Sequence, residues 1–153
     1  MSRRDQILMT PDEMHAFLDA GRDLQVASLN ADGTPHLVTM WYRRDGEDLC
    51  FWTYSKSQKV LNVRRDPRIT VLVATGEAYE ELRGVSINGT ATIEDDLDAV
   101  LAFGEKVYEK HWGPIDNDMV REGVRVMGAK RVVIRVSPLK TTSWDHSKLS
   151  GAY

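Results

Sequence analysis

The sequence predicts a mainly β protein, a small barrel of about six or seven mostly antiparallel strands with about four peripheral helices. The strand-like runs cluster in neighbouring segments instead of alternating with helices. Two Asp-Gly pairs, Asp32-Gly33 and Asp45-Gly46, separate runs of β-branched and aromatic residues, as is typical of β-hairpins. Connections this short cannot join parallel strands, so the pattern argues against an alternating α/β sheet.

Composition predicts one compact domain that covers residues 1–153, since 42% of the residues are hydrophobic and 28% are charged. A net charge of -3 argues against general nucleic-acid binding, which needs a basic face. No run approaches the roughly 18 apolar residues of a membrane span, and the first residues lack the apolar stretch of a signal peptide. We therefore expect a cytoplasmic protein with no membrane partner.

The first helix and the first strands have clear boundaries in the sequence. Residues 10–21 predict a helix with Thr10 as N-cap, Glu13 completing a capping box and Gly21 at the end. Residues 24–54 then predict three strands joined by the two Asp-Gly turns, in the form of an antiparallel meander. Cys50 lies in the third of these runs, and we expect it to be a small core residue.

The remaining elements follow in order along the chain. Residues 57–66 predict a short helix with Val60, Leu61 and Val63 on its apolar side, and Pro67 marks its end. We expect strands at 68–74, at 82–93 with bends at Gly84 and Gly89, and at 130–138, and helices at 94–112 and 118–127. Trp112 is expected to close the core, with lining of the pocket as the alternative, and the residues after 138 are expected to form a tail.

Much positive charge lies in the connection between two strands, in Lys56, Lys59, Arg64, Arg65 and Arg68. A helix begins here, and helix starts expose unpaired N–H groups that bind anions. Ser55 or Ser57 could cap the helix or contact a phosphate, with Lys56 and Lys59 on one side of the first turn. The alternative is a solvated surface helix, which is how we interpret the three arginines.

Flat apolar side chains lie on the strands on either side of the second Asp-Gly turn. One strand carries Met40, Trp41 and Tyr42, and the other carries Phe51, Trp52 and Tyr54. If these strands pair, they present a flat apolar surface beside a turn that suits a phosphate, as a planar cofactor with a phosphate tail requires. The alternative is that these side chains form the core or a dimer interface.

The order of four segments resembles a known family. DGTPHLVTMWY, LCFWTYSKSQKVLNVRRDPRITVLV, LRGVSINGTATI and VSPLKTTSWD, from about Leu24 to Trp144, are similar to the flavin and deazaflavin oxidoreductases related to pyridoxamine 5′-phosphate oxidase. RRDPR and SWDHSKL are most similar to the actinobacterial branch that uses the deazaflavin coenzyme F-420. The resemblance implies a split β-barrel, and a homodimer with two cofactor sites at its interface.

The resemblance also implies the residues that contact the cofactor. They are the strand residues Val38, Thr39, Met40 and Trp41, the pair Trp52 and Thr53, the phosphate-binding turn Lys56, Ser57, Gln58 and Lys59, and Trp144, which the partner subunit would contribute. Lys59 is the main phosphate ligand in this interpretation. His36 and Trp41 stand where the vitamin-oxidising enzymes have arginine and lysine, so we expect F-420 to be favoured over FMN and pyridoxamine phosphate not to be oxidised.

The predicted function is that of an oxidoreductase that transfers hydride from reduced F-420 to an unsaturated organic substrate such as a quinone or a tetrapyrrole. The alternatives are an FMN-binding oxidoreductase of the same fold, and a non-catalytic cofactor-binding or haem-binding protein with His146 as axial ligand. No catalytic residue is assigned; Tyr42, His146 and Tyr153 are candidate proton donors. Four scattered histidines and one cysteine show no metal-ligand spacing, so no metal site is predicted.

Overall fold

The computed structural model describes residues 2–149, and it confirms a mainly β fold with peripheral helices. The strands are β1 (Asp23–Leu29), β2 (Pro35–Trp41), β3 (Arg43–Asp45), β4 (Asp48–Tyr54), β5 (Arg68–Thr75), β6 (Arg83–Glu94) and β7 (Arg131–Asp145). The helices are α1 (Arg3–Gln6), α2 (Pro11–Ala20), α3 (Gln58–Arg65), α4 (Leu97–Trp112) and α5 (Asp118–Gly128). The helix α1, a single turn, is too short for the periodicity that predicts the others.

The seven strands form one antiparallel sheet in the order β2-β1-β5-β6-β7-β4-β3. Its two edge strands, β2 and β3, follow each other in the chain and are separated by Tyr42 alone. The sheet therefore curls until its edges approach each other, as in a split barrel. Tyr42 is fully buried at this crossing, and its hydroxyl donates to the Leu18 carbonyl oxygen at 2.5 Å.

The predicted three-strand meander is wrong at this crossing. β2 pairs with β1, and β4 pairs with β3 and β7, so the aromatic strands β2 and β4 share no hydrogen-bonded ladder. Both Asp-Gly turns are present where expected. Gly33 and Gly46 have φ angles of 85° and 62°, which glycine adopts without a Cβ clash.

Strand β4 is buried on both faces, which explains its unbroken apolar sequence. Phe51 points into the barrel, in a core that includes Leu24, Val26, Val71 and Ile134. On the other face, Cys50 and Trp52 pack with Val133 under α4 and α5, where Val100 and Val124 complete a second cluster. The expected core position of Cys50 is confirmed.

Three local expectations are wrong. The segment expected to be a tail instead continues β7 to Asp145, because its polar residues pair with β6, and the Trp144 ring lies where a Cβ on Gly84 would be. Leu61 faces solvent, and the buried polar side chain of Asn62 takes its place beside Val60 and Val63. Trp112 is 59% exposed because it ends α4 beyond the core.

Candidate functional site

The first turn of α3 forms a polar cradle with the end of β4. Lys59 Nζ donates to Thr53 Oγ1 at 2.9 Å, and the Ser57 and Thr53 hydroxyl oxygens are 3.3 Å apart. Ser57 occupies the N-cap position but its side chain caps no N–H group, and no acidic residue lies in the first turn. The Val60 N–H already donates to the Ser57 carbonyl oxygen at 3.1 Å, so the Gln58 and Lys59 N–H groups and the Lys59 ammonium remain open to an anion.

Arg131, at the start of β7, adds a second cation to the cradle. Its guanidinium lies over the Trp52 ring at 4.7 Å and the Tyr54 ring at 4.6 Å. Its Nε is buried and has no hydrogen-bond partner. The position follows from the strand register, because Tyr54 of β4 pairs with Arg131 of β7.

Neither cation forms a salt bridge within residues 2–149, and the one acidic side chain that shares a pocket lining with Arg131 is Asp23. Burial lowers the pKa of Lys59 below its usual value, and the charge of Arg131 lowers it further. Both effects disfavour the ammonium form of Lys59 in the ligand-free protein. A bound anion would remove this penalty, and would also supply the acceptor that the Arg131 Nε lacks.

An open pocket of about 340 Å³ adjoins this cradle, and is lined by Asp23, Thr39, Met40, Trp41, Trp52 and Arg131. Its wall is β2, an edge strand that pairs only with β1. Alternate backbone N–H and C=O groups of an edge strand point away from its neighbour and can bind a ligand. The site thus combines flat apolar side chains, free backbone groups and unpaired positive charge.

Most of the predicted site residues come together here, but not all. Val38 and Met40 pack partly against the barrel core, while Thr39 and Trp41 are on the other face of β2. The Gln58 side chain is held within α3 by a 2.9 Å hydrogen bond to Asn62. Lys56 is exposed and lines a separate open pocket of about 390 Å³ with Tyr54, Ser55, Ala129 and Lys130. Trp144 is at the opposite end of β7 from Arg131, so it does not reach the pocket of its own chain.

The candidate proton donors do not line this pocket. Burial and the charge of Asp19 raise the pKa of Tyr42 well above its usual value, and its hydroxyl is held by Leu18, so Tyr42 is a structural residue. The His146 ring lies beside Tyr79, with Nδ1 3.0 Å from the Tyr79 carbonyl oxygen. Tyr153 lies outside the described residues.

The three arginines of α3 and β5 were expected to be solvated, and this expectation is correct in part. Arg64 is exposed, and Arg68 forms an exposed ion pair with Asp66 at 2.6 Å. Arg65, although exposed, donates to the Leu29 carbonyl oxygen and to Asn62, and so ties α3 to β1. None of the three lines the pocket beside β2.

Two residues that sequence reasoning missed help to form the site. Arg131 is distant from Lys59 in the chain, and only the β4–β7 register brings them together. Gly104 of α4 is in close contact with Trp52, because a Cβ there would lie 2.3 Å from the ring. A glycine inside the apolar pattern of a helix is unusual, and this feature of the sequence could have indicated the contact.

Neither a metal centre nor a membrane span emerges from the described residues. Within 2–149, no group of three or more His, Cys, Asp or Glu side chains is arranged to hold a metal ion. In the same range, no helix has the length and apolar character needed to cross a membrane.

Comparison with known proteins gives a family and several relatives. The family model described as pyridoxamine 5′-phosphate oxidase matches residues 10–145. The structure of the conserved hypothetical protein Rv2991 from Mycobacterium tuberculosis is 37% identical, with a TM-score of 0.90, and the alignment covers 100% of this chain and 96% of that one. A structure named F-420 reductase is 26% identical, with a TM-score of 0.66, covering 84% of this chain and 94% of that one.

A curated relative is matched over a shorter part. The queuine tRNA-ribosyltransferase of Actinobacillus pleuropneumoniae is 28% identical over 110 residues, which make up 70% of this chain. The aligned part is only 28% of the length of that relative.

Proposed function

The chain belongs to the pyridoxamine 5′-phosphate oxidase family, and on this premise we propose that it is an oxidoreductase that uses the deazaflavin coenzyme F-420 to reduce an unsaturated organic substrate. The proposal rests on two cations without salt bridges, Lys59 and Arg131, at the mouth of a pocket lined by flat side chains. Such a site requires a ligand with both an anionic group and a planar ring system.

The residues of the cradle fit a phosphate group. Lys59 and Arg131 would neutralise its charge, and the first-turn N–H groups of α3 would donate to its oxygens. The Thr53 and Ser57 hydroxyls lie within hydrogen-bond distance of each other beside Lys59, where they could turn toward the same anion. Arg131 already stacks on two aromatic rings, so it would lose little side-chain freedom on binding.

The choice of F-420 over FMN has two supports. The similar structure named F-420 reductase covers most of both chains. In addition, Lys56 and Lys130 line an open pocket next to the cradle and could meet an anionic tail longer than that of FMN. FMN is the nearest alternative, because the phosphate cradle would serve both cofactors.

The role of the chain in the reaction is to hold and align two flat molecules. The bound deazaflavin would supply the hydride chemistry. Edge strand β2 would orient the ring through its free backbone groups, and Trp41 and Trp52 would exclude water from one side. We assign no dedicated proton donor at the pocket, and solvent would provide the proton.

We also propose a cytoplasmic homodimer with cofactor sites at the interface. Leu37 and Leu139 are large apolar side chains on the outer face of the sheet, and both are exposed in the single chain. Trp144, remote from its own pocket, would approach the pocket of the partner. Light scattering coupled to size exclusion tests the dimer, and a monomeric mass at micromolar concentration would contradict it.

Equilibrium titration of the purified protein with F-420 and with FMN tests the cofactor proposal. Binding of F-420 at least about tenfold tighter than FMN is the expected result. Tighter binding of FMN would replace the deazaflavin by the flavin, and the absence of binding by both would overturn the oxidoreductase proposal. Mixing the loaded, reduced protein with menadione then tests hydride transfer through the return of the oxidised cofactor spectrum.

A further inference from the structure

Four rings at the C-terminal end of α4 form an aromatic shelf beside the pocket, namely Trp41, Tyr108, His111 and Trp112. We propose that this shelf binds the substrate, and that the substrate is an uncharged, planar, conjugated compound. The identity of the ligand as a substrate rests on the proposed function, whereas the binding site itself rests on the geometry of the shelf.

The rings of the shelf form one continuous surface with the pocket. The His111 ring stacks on Trp41 with centroids 4.1 Å apart and planes 9° from parallel. Trp112 meets Trp41 edge-on at 4.6 Å and 73°, and its other neighbour is Tyr108 at 4.9 Å. Because Trp41 also lines the pocket, a flat molecule on the shelf would lie next to a ring held in the pocket.

The shelf leaves apolar surface uncovered. Trp112 remains 59% exposed although two aromatic side chains touch it. An exposed tryptophan at the rim of a pocket offers a large, rigid face whose burial by a ligand is favourable. The two rings around it are fixed by their own contacts, so stacking there would require little ordering of the protein.

The two ring nitrogen atoms of His111 indicate that the shelf does not serve packing alone. The His111 side chain is almost fully buried, with 8% of the residue exposed, yet neither Nδ1 nor Nε2 has a hydrogen-bond partner. Unpaired buried groups of this kind destabilise the folded state, and native proteins retain few of them. A phenylalanine would stack on Trp41 without that cost, so stability alone does not account for His111.

The charges around the shelf favour an uncharged ligand. Burial, together with the charges of Arg22 and Lys110, lowers the pKa of His111 to about 4, so its ring is neutral at physiological pH. The two cations are opposed by Asp23 and by the partial negative charge at the end of α4. Arg22 already donates to the His111 carbonyl oxygen at 3.3 Å. These negative charges offset the two cations in part, and the neutral rings of the shelf offer no ion pair of their own to a ligand, so stacking and apolar burial dominate recognition.

Calorimetric titration of the cofactor-free protein with menadione, a neutral naphthoquinone, tests the proposal. Trp112→Ala is expected to weaken menadione binding about five- to tenfold, the usual range for one lost aromatic stack, and Trp112→Phe to keep it within about twofold. Met119→Ala is the matched control, because Met119 is an exposed apolar residue outside the shelf. In buffer with saturating inorganic phosphate, which would occupy the cradle of Lys59 and Arg131, the anionic 1,4-naphthoquinone-2-sulfonate is expected to bind no more tightly than menadione.

Several results would overturn the inference. They are no binding of menadione to the wild type, equal affinity in Trp112→Ala, or tighter binding of the sulfonate. A change of oligomeric mass in Trp112→Ala would show instead that a second copy of the chain covers the shelf. Because these titrations contain no cofactor, their failure is distinct from failure of the F-420 and FMN titrations.

Discussion

Replacing Lys59 by methionine should weaken cofactor binding and make the ligand-free protein more stable. The Lys59 ammonium is half-buried, with Thr53 Oγ1 at 2.9 Å as its described hydrogen-bond partner and Arg131 as a repelling neighbour. Methionine keeps the length and apolar contacts of the side chain and removes the charge. A residue kept for binding at a cost to folding should show these two opposite effects.

The size of the binding loss follows from the charge that Lys59 would present to a phosphate. At about 4 Å and an effective dielectric constant of about 20, two unit charges attract by about 4 kcal/mol, and desolvation of the ammonium offsets part of this. Hydrogen bonds to charged groups contribute about 1.5–3 kcal/mol in measured series. We therefore expect a loss of about 2 kcal/mol, or about 30-fold in Kd.

The stability effect has a defined pH dependence. The pKa of Lys59 is lower in the folded protein than in the unfolded chain, so the unfolded chain binds the proton more tightly. The wild type should therefore gain stability as the pH rises from the folded-state pKa toward the usual lysine value, and below that window it pays the full cost of the buried charge. Lys59→Met should have a higher Tm at neutral pH and should lack this gain.

Titrations with FMN and riboflavin, which differ only in the phosphate, isolate the contact, and thermal unfolding reports stability. Lys106→Met, which removes an exposed lysine on α4, is the matched control and should behave as wild type in both assays. Unchanged FMN affinity in Lys59→Met, or an equal loss for riboflavin, would refute the assignment of Lys59 to the phosphate.

Two further predictions concern the surroundings of the site. Gly104→Ala should lower the free energy of unfolding by about 1–2 kcal/mol and weaken cofactor binding, because the new methyl group must displace the Trp52 ring. Chemical denaturation measures the first effect and cofactor titration the second. Unchanged values would show that the ring moves freely. The neutral His111 should make the wild type lose stability as the pH falls from about 6.5 through about 4, since the unfolded chain takes up the proton first. His111→Phe should flatten that part of the Tm profile, and an identical profile in both proteins would assign the loss to other groups.

Local signals in the sequence predict much of the fold. The capping box of Thr10 and Glu13 forms as expected, and both Asp-Gly turns lie between strands. The sheet order could not be predicted, because no local pattern shows that β2 pairs with β1 while β4 pairs with β3 and β7. The full length of β7 was missed for a similar reason, since a polar segment becomes a strand only through its pairing with β6.

The candidate site divides in the same way. Lys59 was predicted because its helix start has a local pattern, and the structure places it beside Thr53. Arg131 has no such pattern, and its role follows only from long-range register and from an unpaired Nε. The ring stack of His111 and Trp41 likewise joins α4 to β2, and no spacing in the sequence connects them.

The most direct test asks whether the paired cations hold the phosphate of a planar cofactor. It measures the affinity of the wild type and of Arg131→Gln for two ligands, F-420 and its phosphate-free deazaflavin chromophore. Arg125→Gln, which removes an exposed arginine of α5, is the control. We expect Arg131→Gln to weaken F-420 binding at least about tenfold and to leave chromophore binding within about threefold of wild type. Equal F-420 affinity in wild type and Arg131→Gln would contradict the assignment of Arg131 to the phosphate.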